Sequence, residues 1–233
     1  MQIELCVASV EALHAAKSLE IDRIELCSNL DQGGLTPSPG FVRSALDLGI
    51  ETHVLIRPRS GGFIYSESEI ELILTEIKEM DKLGVHGIVV GVLSNQLLLN
   101  YQVLRQIRDS FSNCITFHRA FDDLVEWQDA LEWLQENDYN RVLTSGLSTS
   151  IAAGISVLKE MKDLAKGNIE IMAGGGINLS NIHEIIEVAQ PDAIHFSATS
   201  KQSLDPDSLF SEELLMFDEM KAKKLLAVCR NFR

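Results

Sequence analysis

Hydrophobic and polar residues follow two different periods along this chain. Short runs that alternate every second residue are typical of β-strands, and longer segments with apolar residues three or four apart are typical of amphipathic helices. In one of the short runs, Ile24 and Leu26 alternate with Glu25 and Cys27. The two patterns follow each other along the whole sequence, which predicts a succession of βα units.

Eight strands and eight helices are predicted from these patterns. The predicted strands are residues 2–7, 23–28, 52–58, 87–92, 114–120, 141–146, 169–173 and 193–198. The predicted helices are residues 10–20, 40–48, 67–83, 96–111, 124–137, 150–166, 179–189 and 211–229. Eight consecutive βα units without a Pro/Gly-rich linker favour the α/β class and a single (β/α)8 TIM barrel, with residues 1–233 as one domain. A doubly wound open sheet is the alternative, but it does not require eight evenly spaced units.

The tetrapeptide IELC occurs in both of the first two predicted strands. Helices cover the outer face of a barrel, so the apolar residues of each copy are predicted to point outwards and the carboxylate and thiol inwards. The predicted interior side chains are Glu4, Cys6, Glu25 and Cys27. Buried carboxylates need partners, and Glu4, which comes early in its strand, is expected to lie deep and to act as a structural counter-charge.

Polar side chains at the ends of other strands supply candidate catalytic residues, because barrel active sites form there. Arg57 closes the third strand and is predicted to pair with Glu25 or to grip a small polar ligand together with it; a purely structural ion pair is the alternative. His118 and Asp122 belong to the sequence HRAFD, in which the carboxylate is expected to orient the imidazole for acid–base catalysis or metal ligation. A structural core histidine is the alternative.

Two loops late in the sequence predict an anion site. Gly174, Gly175 and Gly176 follow the seventh strand, and His195 and Ser197 belong to the eighth. In many barrels the loops after these two strands hold a phosphate on backbone amides. The asparagine-containing stretch after the glycines is expected to cap the next helix and to direct its N-terminus at the anion. Glycine runs are also ordinary turn sequences.

The four cysteines include no CxxC pair, so neither a zinc ribbon nor a redox dithiol motif is predicted. Cys6 and Cys27 share the predicted interior and can offer two soft ligands to Cu(I). Free cysteine is also a common small apolar filler of protein cores, and this is the alternative interpretation of the pair.

Charge and composition narrow the range of partners. The sequence has 34 acidic and 20 basic residues and a formal net charge of −14. Such a charge repels nucleic acids and anionic membranes, so neither is expected as a partner. The N-terminal residues lack the pattern of a secretory signal, and the longest apolar runs are too short to span a bilayer. We therefore expect a cytoplasmic protein that binds a small molecule or a metal ion; a homodimer or higher homo-oligomer stays open.

Several well-known chemistries are not predicted. No lysine lies in a predicted strand, and the sequence contains no GxSxG, GxxxxGK[ST] or HExxH motif. These absences disfavour a Schiff-base aldolase, an esterase-type serine nucleophile, a P-loop and a zinc-protease helix. The C-terminal EMKAKK segment is interpreted as a solvated helix face.

The chain resembles the CutC family, whose members are often labelled copper homeostasis proteins. The resemblance rests on the motifs RIELCSNLDQGGLTPSPG, LIRPRSGGFIYSESE, FHRAFDD, RVLTSG, AGGGI and IHFSA, which span residues 1 to about 200. It implies a (β/α)8 barrel, a cytoplasmic location and an association with copper handling. It also implies that Cys6 and Cys27 are the family's proposed copper thiols. The family's polar cluster falls on Glu25, Arg57, His118, Arg119 and Asp122.

Two functions follow from these interpretations. The first is a copper homeostasis protein that binds Cu(I) through Cys6 and Cys27. The second is an enzyme that acts on a small polar or phosphorylated metabolite. In the enzyme, Glu25 and His118 would perform acid–base catalysis, Arg57 would hold an anionic group, and the glycine loop would bind phosphate.

Overall fold

The computed structural model describes residues 1–203 and 213–232 of the chain. Eight parallel strands pair in sequence order, and the last pairs with the first to close a barrel. The strands are β1 Gln2–Val7, β2 Arg23–Leu26, β3 Glu51–Leu55, β4 Gly87–Val90, β5 Cys114–Phe117, β6 Arg141–Thr144, β7 Glu170–Ala173 and β8 Ala193–Phe196. The predicted (β/α)8 TIM barrel is therefore confirmed, and the open doubly wound sheet is wrong.

A helix follows each strand along the chain. The helices are α1 Val10–Ser18, α2 Pro39–Asp47, α3 Glu67–Leu83, α4 Tyr101–Ser110, α5 Trp127–Glu136, α6 Ile155–Ala165, α7 Ile182–Glu184 and α8 Glu219–Arg230. Helix α7 is short and continues into a π-helical turn at Ile185–Ala189. In the part of the chain that the structure describes, no helix is long and apolar enough to cross a membrane.

Four predicted helices, α4 to α7, begin three to five residues later than expected, and turns or bends precede them. Helix α4 begins after Asn100, whose side chain accepts a hydrogen bond from the Val103 amide at 3.3 Å and caps the helix. Helix α5 begins after a 3-10 turn at Arg119–Asp123, and α6 begins after a 3-10 turn at Ile151–Ala153.

The last predicted helix, residues 211–229, is wrong over its first half. A strand, Glu213–Phe217, pairs antiparallel with Thr199–Ser203, and we call these strands β10 and β9. Helix α8 starts only after Asp218, which caps it by accepting from the Lys221 amide at 2.9 Å. Residues 211 and 212 of the prediction lie outside the described residues.

The predicted inward and outward faces of β1 and β2 are confirmed. The apolar residues of the two IELC segments lie in the main hydrophobic core, which also contains the buried faces of the helices. Cys6 and Cys27 belong to a separate small cluster with Leu55 and Val89 inside the barrel. The alternation of each strand therefore separates an apolar exterior from an interior that holds the polar groups.

Ion pairs fill the N-terminal end of the barrel interior. Arg23 is fully buried and donates from Nε to Glu4 Oε2 at 2.5 Å. Arg141 pairs with Glu170 and donates to Thr116 Oγ1 at 3.0 Å. The expectation that Glu4 lies deep and balances a charge is confirmed, and this layer closes the barrel below the site.

Candidate functional site

A cavity of about 550 Å3 opens where the barrel strands end. Its volume is in the range of small-ligand sites. Its lining includes most of the predicted site residues: Cys6, Glu25, Cys27, Arg57, His118, Arg119, Gly175, Gly176, His195 and Ser197. A shallower depression of about 780 Å3 at the opposite end, around Phe111 and Cys114, gathers no comparable set of groups. The barrel mouth is therefore the candidate site.

His195 lies between two buried carboxylates on one wall of the cavity. Its Nδ1 is 2.7 Å from Glu4 Oε1, and its Nε2 is 3.3 Å from Glu25 Oε2. Burial alone would lower the pKa of His195, but Glu25, the Cys6 thiol and Glu4 hold this pKa well above its usual range. The ring is therefore an imidazolium that donates from both nitrogens.

The two carboxylates beside His195 differ in charge state. Burial would raise the pKa of Glu4, but the hydrogen bond with His195 and the charge of Arg23 hold it well below its usual range. Burial raises the pKa of Glu25 to about 7, against the opposing charge of His195 and with a further rise from Glu4. Glu4 is therefore a permanent anion, and Glu25 can exchange a proton near neutral pH.

The two predicted metal thiols lie together. Cys6 Sγ and Cys27 Sγ are 3.6 Å apart, and both side chains are buried. Cys6, Glu25 and His195 each place one potential ligand atom within 4.8 Å of the others. The hydrogen bond with Cys27, burial and the charge of Glu25 raise the pKa of the Cys6 thiol, so it is protonated until a cation displaces the proton.

His118, at the end of β5, is neutral and buried. Burial, reinforced by the charge of Arg57, lowers its pKa to about 3. Nδ1 accepts a hydrogen bond from the Ala120 amide at 3.1 Å, so the ring proton lies on Nε2. Within the described residues, Nε2 has no hydrogen-bond partner. His118 therefore brings an unsatisfied N–H donor to the cavity wall.

The predicted direct pairing of Arg57 with Glu25 is wrong, since no salt bridge joins them among the described residues. The Arg57 guanidinium donates instead to the carbonyls of Gln32, Gly34 and Gly61 at 2.7 to 2.9 Å. These bonds hold the loop after β2 against the loop after β3, and they leave the charge of Arg57 on the cavity wall.

Asp122 does not orient His118, contrary to the prediction. Its carboxylate accepts from Arg119 Nε at 2.8 Å, from Thr144 Oγ1 at 2.5 Å and from the Ser145 amide at 3.0 Å. The 3-10 turn at Arg119–Asp123 directs the carboxylate towards the end of β6 instead of back towards β5. Asp122 lies behind the cavity wall, where it positions Arg119 and the loop after β6.

The glycine loop after β7 lies against Arg119. At Gly175, φ is +99°, and a Cβ would come within 2.9 Å of the Arg119 guanidinium. Only glycine combines this backbone conformation with such a close neighbour. The Gly174 amide donates to Thr144 O at 3.0 Å, so this N–H extends the pairing of β6 with β7 and is not free to bind a ligand. The amides of Gly175, Gly176 and Ile177 have no acceptor among the described residues.

The expected helix cap after the glycines is not formed. The Asn181 side chain accepts from the Asn178 amide at 2.9 Å and donates to Gly176 O at 3.0 Å, so it fixes the glycine loop and not the helix. Helix α7 has three residues, so the predicted helix-dipole contribution does not apply.

Three other cavity residues escaped the sequence interpretation. Lys221, in the segment interpreted as a solvated helix face, lines the cavity and donates to Thr199 O at 2.9 Å. Phe63 packs against His118 with ring centroids 4.7 Å apart, and Ile177 lies beside the glycines. No strand carries Lys221 or Phe63, and their positions depend on how the loops pack. The strand periodicity therefore could not indicate them.

Comparison with solved structures supports the same architecture. The crystal structure of CutC from Streptococcus agalactiae, a protein named for copper homeostasis, is 28% identical, with a TM-score of 0.79; the alignment covers 84% of this chain and 97% of that one. N-(5'-phosphoribosyl)anthranilate isomerase from Pyrococcus furiosus matches over 99% of both chains with a TM-score of 0.59 but only 15% identity. The second similarity shows the fold alone.

Comparison with protein families and curated sequences identifies close relatives. A family protein CutC from Glaesserella parasuis is 39% identical over 216 residues, which are 92% of this chain and 89% of the relative. A family protein CutC from Vibrio campbellii is 40% identical over 200 residues, 84% of this chain and 81% of the relative. The CutC family model matches residues 1–200. The chain therefore belongs to the CutC family.

Proposed function

We propose that the protein is an enzyme that acts on a small anionic metabolite by acid–base chemistry. One observation carries this proposal: the cavity wall brings the cationic side chains Arg57, Arg119 and Lys221 together with a single carboxylate, Glu25, among the described lining residues. This local excess of positive charge occurs in a chain whose formal net charge is −14. Such a cavity attracts anions that the rest of the surface repels.

The roles follow from the partners of each group. Among the described residues Glu25 forms an ion pair only with His195, so its carboxylate can receive a proton from a ligand, and His195 stabilises the charged form. His118 donates from Nε2 to an oxygen that becomes negative during the reaction. Arg119, fixed by Asp122, holds the anionic group of the ligand.

Thermal unfolding of the protein with a panel of carboxylated, phosphorylated and neutral metabolites tests this function. We expect anionic compounds to raise the Tm and neutral analogues to leave it unchanged. Arg119→Gln should lose the shift, whereas Arg43→Gln, which removes an exposed arginine of α2, should keep it. Equal shifts from neutral analogues, or the same shift in both variants, would contradict the proposal.

Binding of Cu(I) is a second candidate, favoured by the 3.6 Å separation of Cys6 Sγ and Cys27 Sγ next to His195. Two sulfur donors suit a soft monovalent ion, and His195 adds a third donor once the ion displaces the Nε2 proton of the imidazolium. The S. agalactiae relative is named for copper homeostasis, which supports the same candidate. The carboxylates of Glu4 and Glu25 would add to the attraction for a cation.

A competition titration of Cu(I) between the protein and a chromophoric chelator tests this candidate. The Cys6→Ser, Cys27→Ser double variant should lose one Cu(I) per chain. Cys229→Ser, which changes a buried cysteine of α8, is the matched control and should keep the wild-type stoichiometry. An unchanged stoichiometry in the double variant would remove the copper function.

A further inference from the structure

Backbone amides of two neighbouring loops line one corner of the cavity. The loops follow β7 and β8, which pair with each other in the sheet. Gly175, Gly176 and Ile177 in the first loop, and Ser197 and Ala198 in the second, line the cavity, and their amides have no acceptor within the described residues. Successive free N–H groups in such loops bind the oxygens of a phosphate.

Arg119 adds a permanent charge to this corner. Its guanidinium lies so close to Gly175 that a Cβ there would come within 2.9 Å. Asp122 and Ser145 hold Nε and Nη2, so the guanidinium cannot swing away without losing both bonds. A dianionic phosphate suits a site with several amides and a fixed guanidinium better than a carboxylate does, because it offers three acceptor oxygens.

A separate polar group lies on the wall formed by β5. His118 is 5% exposed, and its Nε2–H has no partner among the described residues, although buried polar groups are almost always hydrogen-bonded. Phe63 covers the ring. The His118 ring lines the cavity, but Nε2 itself is covered, so a carbonyl oxygen that replaces this cover gains an unsatisfied donor.

Glu25 lies on a third part of the wall. It is the last but one residue of β2, and β2 and β5 are three strands apart in an eight-stranded closed barrel, so Glu25 and His118 face the cavity from nearly opposite sides. A carbonyl compound that binds between these two walls with its oxygen on His118 can therefore place its neighbouring carbon against the carboxylate.

We propose that the substrate is a phosphorylated hydroxy-carbonyl compound, with its phosphate on the amides beside Arg119, and that Glu25 and His118 catalyse its isomerisation. This inference rests on the proposed acid–base function. The Glu25 carboxylate takes the proton from the carbon next to the carbonyl, and the C–H electron pair becomes the C=C bond of an enediol intermediate. The carbonyl electrons move to the oxygen, which takes the Nε2 proton of His118 to complete the enediol. His118 then recovers a proton from the neighbouring hydroxyl, whose oxygen becomes the new carbonyl, while Glu25 returns its proton to the former carbonyl carbon, so no co-reactant is needed.

Deuterium exchange measured by NMR in D2O tests the inference. The probes are dihydroxyacetone phosphate, ribulose 5-phosphate and fructose 6-phosphate, each compared with its unphosphorylated counterpart. We expect at least one phosphorylated probe to exchange the proton next to its carbonyl at least a hundredfold faster with the protein than without it. The unphosphorylated counterpart should show no such acceleration.

Variants separate binding from proton transfer. Glu25→Gln should exchange the proton at least a hundredfold more slowly and still bind inorganic phosphate. Because this variant is purified in the same way, the loss of exchange also excludes a contaminating isomerase. Arg119→Gln should weaken inorganic phosphate binding about tenfold. His118→Gln should slow exchange without changing phosphate affinity.

The outcomes distinguish this inference from the proposed function. Phosphate binding without exchange of any probe overturns the reaction. If carboxylates raise the Tm but inorganic phosphate does not bind, the phosphorylated substrate class is wrong, and the proposed acid–base function is not contradicted. No response to any anion overturns both. Exchange that survives in Glu25→Gln overturns the role of Glu25.

Discussion

His195 Nδ1 lies 2.7 Å from Glu4 Oε1, at the boundary between the ion-pair layer of the barrel and the cavity above it. The other oxygen of Glu4 accepts from Arg23 Nε at 2.5 Å. One fully buried carboxylate therefore connects the structural charge of Arg23 to the imidazolium that contacts Glu25. The charge state of the site depends on a residue that does not line the cavity.

Glu4→Gln should destabilise the protein strongly, because it leaves the buried Arg23 without its closest carboxylate. Removal of one partner from a buried ion pair costs about 3–5 kcal/mol. The lowered pKa of Glu4 also means that its stabilisation is present above the pKa of the unfolded carboxyl and is lost as pH falls. Urea unfolding at pH 7 measures the effect.

The control for Glu4→Gln is Asp163→Asn, which breaks the exposed pair of Lys159 and Asp163 on α6. An exposed pair of this kind contributes at most about 1 kcal/mol. Similar losses in the two variants would contradict the structural role of Glu4.

Asp122→Asn should loosen the loop after β6 and weaken anion binding through Arg119. The carboxylate accepts from Arg119, Thr144 and two groups of Ser145, and an amide cannot accept from all of them. We expect a loss of about 1.5–3 kcal/mol in unfolding free energy, as for hydrogen bonds to charged groups. Phosphate titration by calorimetry should show weaker binding. The decline in unfolding free energy between pH 6.5 and pH 4, to which His118 contributes, should stay unchanged. A changed acid sensitivity would indicate that Asp122 acts on His118 after all.

Gly175→Ala should weaken phosphate binding about tenfold, a change of about 1.4 kcal/mol. The substitution strains a backbone with φ of +99° and pushes a methyl group into the Arg119 guanidinium. Gly167→Ala is the matched control, since its φ is +83° and nothing lies within 4 Å of the added carbon. Both variants should lose stability through backbone strain, and only the first should lose phosphate affinity. Equal phosphate affinities would remove Gly175 from the anion site.

The inward positions could be predicted from the sequence because strand alternation is a local property. Once β1 and β2 were recognised, the period of two placed Glu4, Cys6, Glu25 and Cys27 inside, and the pairing of the two strands brought the thiols together. The barrel itself followed from the count of βα units. These parts of the site depend on the order of the elements and on their faces.

The pairing of rim residues could not be predicted, because it depends on how the loops pack. Glu25 meets His195, from the far end of the sequence, since β1 lies between β2 and β8 in the closed sheet. The Arg57 guanidinium donates its hydrogen bonds to carbonyl oxygens of the loops after β2 and β3. His118 is oriented by the amide of Ala120, two residues away, and no side-chain partner in the sequence could have indicated that.

His118→Gln should make the protein less sensitive to acid. The folded-state pKa of His118 is about 3, below the ordinary value of 6.5, because burial and Arg57 disfavour the charged ring. Between these two pH values the unfolded chain binds a proton that the folded chain does not, so this histidine destabilises the fold as pH falls. One such proton gives a slope of up to about 1.4 kcal/mol per pH unit.

Urea unfolding in steps from pH 6.5 to pH 4 should therefore show a shallower decline of the unfolding free energy in His118→Gln than in the wild type. His14→Gln, which removes an exposed histidine of α1, controls for the loss of a histidine as such. Parallel declines in the wild type and His118→Gln would mean that the ring accepts a proton in the fold, and His118 could then not act as a neutral donor.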